Sequence, residues 1–142
     1  ILNIGSCTVE APTRPYADYV AGRGNETLYA TLKAAMHRLS TGLAAELHGH
    51  NIAVNVVAPV LAIYTPGLAA LNLGLTPDHP IVEPIEDIAE ASVELLSHPP
   101  AACTGQVEFS YQFLDRIGRS TMSLDGTKVL KQRSAKGARV AG

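Results

Sequence analysis

The run Ile52-Ala53-Val54-Asn55-Val56-Val57-Ala58-Pro59 decides how this chain folds. It is apolar on both parities and rich in β-branched side chains, with a proline to end it. A strand that shows no polar face is buried on both sides, as in a parallel sheet covered by helices. Parallel strands need long crossovers, so helices are expected on either side of this run in the sequence.

Upstream, Leu28, Leu32, Ala35, Leu39, Leu43 and Leu47 recur at steps of three and four and mark one apolar face of a long helix. Asn25 reads as its N-cap, and Gly49 or Asn51 as its stop. Before it, Leu2 to Ser6 reads as a short buried strand ending on a small polar residue. Cys7 to Gly24, with Pro12, Pro15, Gly22 and Gly24, reads as a loop. Downstream, Pro59 to Pro84 holds five prolines and reads as a long loop with one short helix near 67–73. Pro84-Ile85-Glu86-Asp87 opens a second helix, with acids in its first turn and Ile88, Ala91, Val93, Leu95 and Leu96 on its inner side. Thr104 to Ser110 reads as a last strand. Alternation of this kind predicts parallel pairing with right-handed crossovers. Three strands and two helices leave one side of such a sheet open, so the chain reads as part of a larger unit.

Composition agrees with a packed domain. The chain has 142 residues, 46% hydrophobic and 17% charged, which fills a core and argues against disorder. No apolar run reaches the length of a membrane span, and no signal or transit peptide is visible. Cys7 and Cys103 stand far apart without metal-ligand spacing, which predicts reduced thiols and a cytoplasmic setting. His48 and His50 are explained by favourable charge near a helix C-terminus rather than by a metal. Residues 1–115 carry 4 basic and 12 acidic side chains, whereas 116–142 carry 7 basic and 1 acidic. That basic end could be a nucleic-acid arm, but it has no aromatic to stack on a base. A solvated, flexible tail over 113–142 is the favoured reading, with 1–112 as the folded part.

The chemistry sits on the long helix. Tyr29 and Lys33 are four residues apart and so share one helical face. A cation beside a phenol favours the phenolate and makes the group a better proton donor and acceptor near neutral pH. Alone, that spacing is weak. Together with Asn3-Ile4-Gly5-Ser6 before it, and Asn55-Val-Val-Ala-Pro59, Pro84-Ile-Glu-Asp-Ile-Ala-Glu and Thr104-Gly-Gln-Val after it, the chain resembles the C-terminal half of a short-chain dehydrogenase/reductase.

The resemblance implies an α/β fold: the C-terminal half of a Rossmann-type doubly wound parallel sheet, with the N-terminal half absent. It also implies an NAD(P)-dependent oxidoreductase that transfers a hydride between NAD or NADP and an alcohol or carbonyl substrate. By the same resemblance Ser6, Tyr29 and Lys33 are the catalytic residues, while Tyr29, Lys33, Pro59, Val60 and Thr65 line the cofactor. A homo-oligomer built through the long helix is implied as well. The alternative reading is a truncated, non-catalytic fragment that acts by oligomerising through that helix. The Leu- and Ala-rich stretch Leu61–Leu75 would be a lid over an apolar substrate.

Three departures stand out. The gap from Ser6 to Tyr29 is long, with an insertion over Thr13–Gly24 that carries Tyr16, Tyr19 and Arg23. Val60 stands where the family has glycine after the proline. No Gly-rich phosphate loop is present, so the chain by itself is expected to grip a dinucleotide poorly.

Overall fold

The computed structural model describes residues 1–15 and 26–130. Strand β1 (Leu2–Ile4) leads through a 3-10 turn (Cys7–Val9); helix α1 spans Glu26–Leu47, and β2 spans Asn55–Ala58. Then come β3 (Ala62–Ile63), the short helix α2 (Pro66–Ala69), β4 (Val82–Glu83), helix α3 (Ile85–Ser97), β5 (Val107–Phe109) and helix α4 (Ser110–Ile117). Among the described residues β1, β2 and β5 form a parallel sheet in that spatial order, and β3 pairs with β4, also in parallel.

The central strand is β2, as its sequence predicts. All four residues are buried, and it pairs on both edges, Asn3 with Val56 on one side and Val56 with Val107 on the other. Asn55, the one polar residue in the run, is satisfied internally. Its Oδ1 accepts from the Gln106 backbone N–H at 3.0 Å, and its Nδ2 donates to the Cys103 carbonyl at 3.1 Å. The side chain thus ties β2 to the turn that feeds β5, where Gly105 takes a positive φ of 74° that a side chain would resist.

Side-chain alternation along β2 shows where the covering layers lie. Val57 belongs to the aliphatic core with Ile88, Ala91 and Leu95 of α3 and Phe113 and Leu114 of α4. Val56 and Ala58 point the other way, close to Gly5 and to His37 of α1. A helix therefore lies on each face, and neither face is left open over β2. The strands are laid down in one direction across the sheet, so two covers on opposite faces give the two crossovers opposite hands. The expectation of uniformly right-handed crossovers fails for one of them. The connection over 59–84, with its own two-stranded sheet, provides the slack.

Several boundaries differ from expectation. The stretch after Pro59 holds the expected short helix, α2, and also β3 and β4, which two-residue parallel pairing leaves without a periodicity to read. The helix stop is Asn51, in the left-handed region at φ 56°, after a 3-10 turn over His48–His50 that contains Gly49. Asn25 and most of the Thr13–Gly24 insertion, including Tyr16, Tyr19 and Arg23, lie outside the described residues.

On α1 the expected apolar face is not the buried one. Leu28, Leu32 and Leu39 are 67%, 62% and 59% exposed, and His37, Ser40 and Ala44 are the residues turned inward. On α3 the inner side is Ile88, Ala91 and Leu95, while Val93 and Leu96 face out.

The boundary expected at 112 falls inside α4, which buries Tyr111, Phe113 and Leu114. A bridge between Met122 and Val129 and the buried Thr121 carry order further, so the stretch 113–130 is not a loose tail. Residues 131–142 lie outside the described residues. Arg119 holds this end down, pairing with Glu90 at 2.6 Å and with Glu94 on α3. No helix among the described residues is long and apolar enough to cross a membrane.

Candidate active site

The C-terminal ends of β1 and β2 meet one face of α1. Positions 29, 33 and 37 of that helix are one turn apart, and their side chains meet the end of β1 or one another. Lys33 Nζ donates to the Ile4 carbonyl at 2.9 Å and lies 5.7 Å from the centroid of the Tyr29 ring. His37, buried one turn further on, accepts the Ser6 backbone N–H on Nε2 at 3.4 Å. Another turn along, Ser40 Oγ accepts from Asn3 Nδ2 at 2.9 Å. The helix is thus docked on β1 through polar contacts, which explains why its leucines are not needed inward.

This docking requires Gly5. A Cβ built at that position would stand 2.3 Å from His37 Nε2 and 2.9 Å from Val56 Cγ1. The glycine between Ile4 and Ser6 is what lets α1 approach the strand end.

Ser6 is buried and caps the 3-10 turn that follows. Its Oγ accepts from the Thr8 N–H at 3.2 Å and lies 2.9 Å from Thr8 Oγ1. Tyr29 is about half exposed, and among the described residues no hydrogen bond joins its hydroxyl to Ser6. So the structure brings Lys33 to Tyr29 and to the strand end, and Ser6 to His37, while the two hydroxyls stay unlinked.

His37 must be neutral at the ring nitrogen that accepts from Ser6. Burial, aided by the nearby Lys33 charge, holds it below the ordinary histidine range. Sequence reading passed over His37, although its place four residues after Lys33 and eight after Tyr29 was the available signal. Burial likewise pushes the Cys7 thiol up, with the Glu83 charge adding to it.

The remaining expected positions lie along the exit from β2. Val60 is buried, and its N–H points inward, donating to Glu83 Oε2 at 3.0 Å and to Ser110 Oγ at 3.3 Å. Thr65 caps α2, its Oγ1 accepting from the Leu68 N–H at 3.2 Å. Glu83 was not foreseen as a site residue. A lone acid in Ile81-Val82-Glu83-Pro84 carries no spacing to betray it.

A parallel sheet with helices on both faces, and a Tyr–Lys helix face seated at its strand ends, defines a Rossmann-type half-domain. The chain matches no protein-family model and none of the curated proteins. Solved structures do match. A short-chain dehydrogenase/reductase family protein is similar at 26% identity over 78% of this chain and 43% of its own, with a TM-score of 0.55. A blue fluorescent protein from a metagenomic library, solved in complex with NADPH, is 28% identical over 77% of this chain and 42% of its own, with a TM-score of 0.52. Acetoin dehydrogenase from Enterobacter cloacae is 31% identical over 77% of this chain and 39% of its own, with a TM-score of 0.50.

The chain is similar to the C-terminal half of a short-chain dehydrogenase/reductase fold. It spans about 40% of the length of the structures it matches.

Proposed function

We propose that this chain carries the proton-transfer half of an NAD(P)-dependent oxidoreductase acting on an alcohol or carbonyl compound. The observation that carries this reading is Lys33, which donates to the Ile4 carbonyl while standing beside the Tyr29 ring at the strand ends. When bound, a nicotinamide cofactor supplies or accepts the hydride.

The donors present fit the nicotinamide end of such a cofactor. The half-exposed Tyr29 and the Lys33 ammonium share one face of α1, and Lys33 reaches the end of β1. A phosphate-cradling Gly-rich loop is not among the chain's motifs. Tyr29 would give a proton to the carbonyl oxygen or take one from the alcohol. Lys33 would hold the ribose. Ser6 would turn its hydroxyl from Thr8 to the substrate oxygen and stabilise charge there. Pro59, Val60 and Thr65 would line the cofactor from the β2 exit. The stretch Leu61–Leu75 would be a lid over an apolar substrate, and an open cavity bordered by Tyr64, Leu68, Asn72 and Leu73 lies within it. We place the protein in the cytoplasm, with Cys7 and Cys103 as reduced thiols.

The test is turnover followed by nicotinamide absorbance, with NADH and NADPH each offered at millimolar concentration together with a panel of alcohols and carbonyls. Tyr29→Phe should lower turnover by about a thousandfold while leaving cofactor binding and folding intact. A wild-type chain that binds neither cofactor would sink the reading of an autonomous enzyme.

The exposed Leu28, Leu32 and Leu39 favour a second element of the reading, a homo-oligomer formed through α1. Leu32→Glu with Leu39→Glu should then shift the sedimentation coefficient toward the monomer. An unchanged coefficient would remove α1 from the interface.

A further inference from the structure

Glu83 is 1% exposed and has no cation beside it among the described residues. Burying an unpaired carboxylate is expensive unless backbone or hydroxyl donors satisfy it. Here they do. Oε2 accepts from two successive backbone N–H groups, Val60 at 3.0 Å and Leu61 at 2.9 Å, and Oε1 accepts from Ser110 Oγ at 2.5 Å. The Val60 N–H is shared with Ser110 Oγ at 3.3 Å.

One side chain therefore joins three segments: the chain leaving β2, β4 itself, and the junction of β5 with α4. The pairing of β3 with β4 lies beside it, with Ile63 opposite Glu83 and the Ala62 N–H donating to the Ile81 carbonyl at 2.9 Å. Both ends of the 64–81 loop are thus fastened at one point.

We infer that Glu83 is a positioning residue of the site: its carboxylate latches the Val60–Leu61 backbone, and with it the base of the 64–81 loop, to the C-terminal edge of the sheet. The site role rests on the function proposed above, since it is the β2 exit that would face the nicotinamide. Glu83 touches neither substrate nor cofactor and acts through the two amides. A neutral amide could hold the same shape, but a carboxylate binds both N–H groups more strongly and can be weakened by a proton. Burial raises the acid toward neutrality, against the pull of Ser110 and the two backbone donors. The ionisable groups that face it are Asp87 of α3 and Cys7 of the 3-10 turn.

The experiment follows the Val60 and Leu61 amides of the full, isotope-labelled chain by NMR from about pH 5 to about pH 9, with NADPH affinity measured in parallel. In the wild type the two amide shifts should titrate together near neutrality. Glu83→Gln should keep the amides protected but make both shifts independent of pH. Glu83→Ala should speed their hydrogen exchange by about tenfold or more and weaken NADPH to a similar degree. Unchanged exchange in Glu83→Ala, or a pH titration that persists in Glu83→Gln, would overturn the latch. The Gln variant decides the question even where the Ala variant does not fold. Looser amides with unaltered NADPH affinity would overturn the site role alone. A wild type that takes up no cofactor would overturn the function proposed above and the site role with it, while the amides still decide the latch.

Discussion

The two faces of the sheet are covered by helices of opposite character. Helix α3 meets β2 with Ile88, Ala91 and Leu95, backed by Phe113 and Leu114 of α4, and its one buried acid, Asp87, accepts from Thr121 Oγ1 at 2.7 Å. Helix α1 meets the sheet with Lys33, His37, Ser40 and Ala44, and turns Leu28, Leu32 and Leu39 to the surface. One helix is amphipathic in the ordinary sense, and the other is inverted. The inversion has a local cause. The end of β1 offers a carbonyl at Ile4, an N–H at Ser6 and a glycine between them, and only polar side chains can answer those groups. On the α3 face the sheet offers apolar side chains to cover, and on the α1 face it offers chemistry.

The comparison breaks most visibly under truncation of the buried leucine. Leu95→Ala on α3 should cost about 3 kcal/mol of unfolding free energy by denaturant titration, since Leu95 is 2% exposed and deeply packed. If the cost is under about 1 kcal/mol, the α3 face is not the core described above.

Next comes pH, where Glu83 and His37 carry opposite signs. Glu83 is raised to about 7 from an ordinary 4.5, chiefly by burial. The folded chain holds its proton through a window in which the unfolded chain has released it. Its contribution is therefore fully present below about pH 4.5 and fades by roughly 3 kcal/mol as pH rises to about 7. Glu83→Gln should flatten that decline in thermal unfolding measured across the window. His37 is lowered, so its sign is reversed: stability is lost as pH falls below the ordinary histidine value, where the unfolded ring gains a proton first. His37→Gln should remove only this acid-side loss. A Glu83→Gln chain with the wild-type profile would show that the carboxyl is not the buried group argued above.

The docking of α1 gives a smaller effect. Gly5→Ala should cost about 2 kcal/mol because its Cβ would meet His37 Nε2 at 2.3 Å, and His37→Ala in the same chain should recover part of the loss. Purely additive costs would mean that the two do not meet. Smallest of all, Leu32→Ala on the outer face of α1 should change unfolding stability by no more than about 0.5 kcal/mol in the monomer. A cost like that of Leu95→Ala would place Leu32 in an interface under the conditions of the measurement.

Much of the architecture was legible in the residues. The apolar run 52–58, the Pro-Ile-Glu-Asp start of α3 and the alternation of strands with helices lead to a parallel α/β sheet, and the family resemblance rests on the same pieces. Helix α1 was legible as a helix but not in its orientation, because its leucine period points to a buried stripe while the strand end beside it selects His37 and Ser40. The β3–β4 pair was not legible, since two residues on each strand joined across 18 others carry no local pattern. Tyr29 and Lys33 announced themselves by spacing. His37 and Glu83 did not, because each matters through a backbone N–H that only folding brings near.

The amino-acid order by itself determined which segments become strands and helices, since periodicity, caps and prolines act within a few residues. It also placed a phenol and an ammonium on one turn of one helix. Which face of that helix turns inward, which acid is buried at the exit from β2 and how the 64–81 loop is fastened were decided only by the tertiary structure. Those outcomes depend on donors and acceptors far apart in the chain, and a buried polar group takes whichever partner the packed sheet sets beside it.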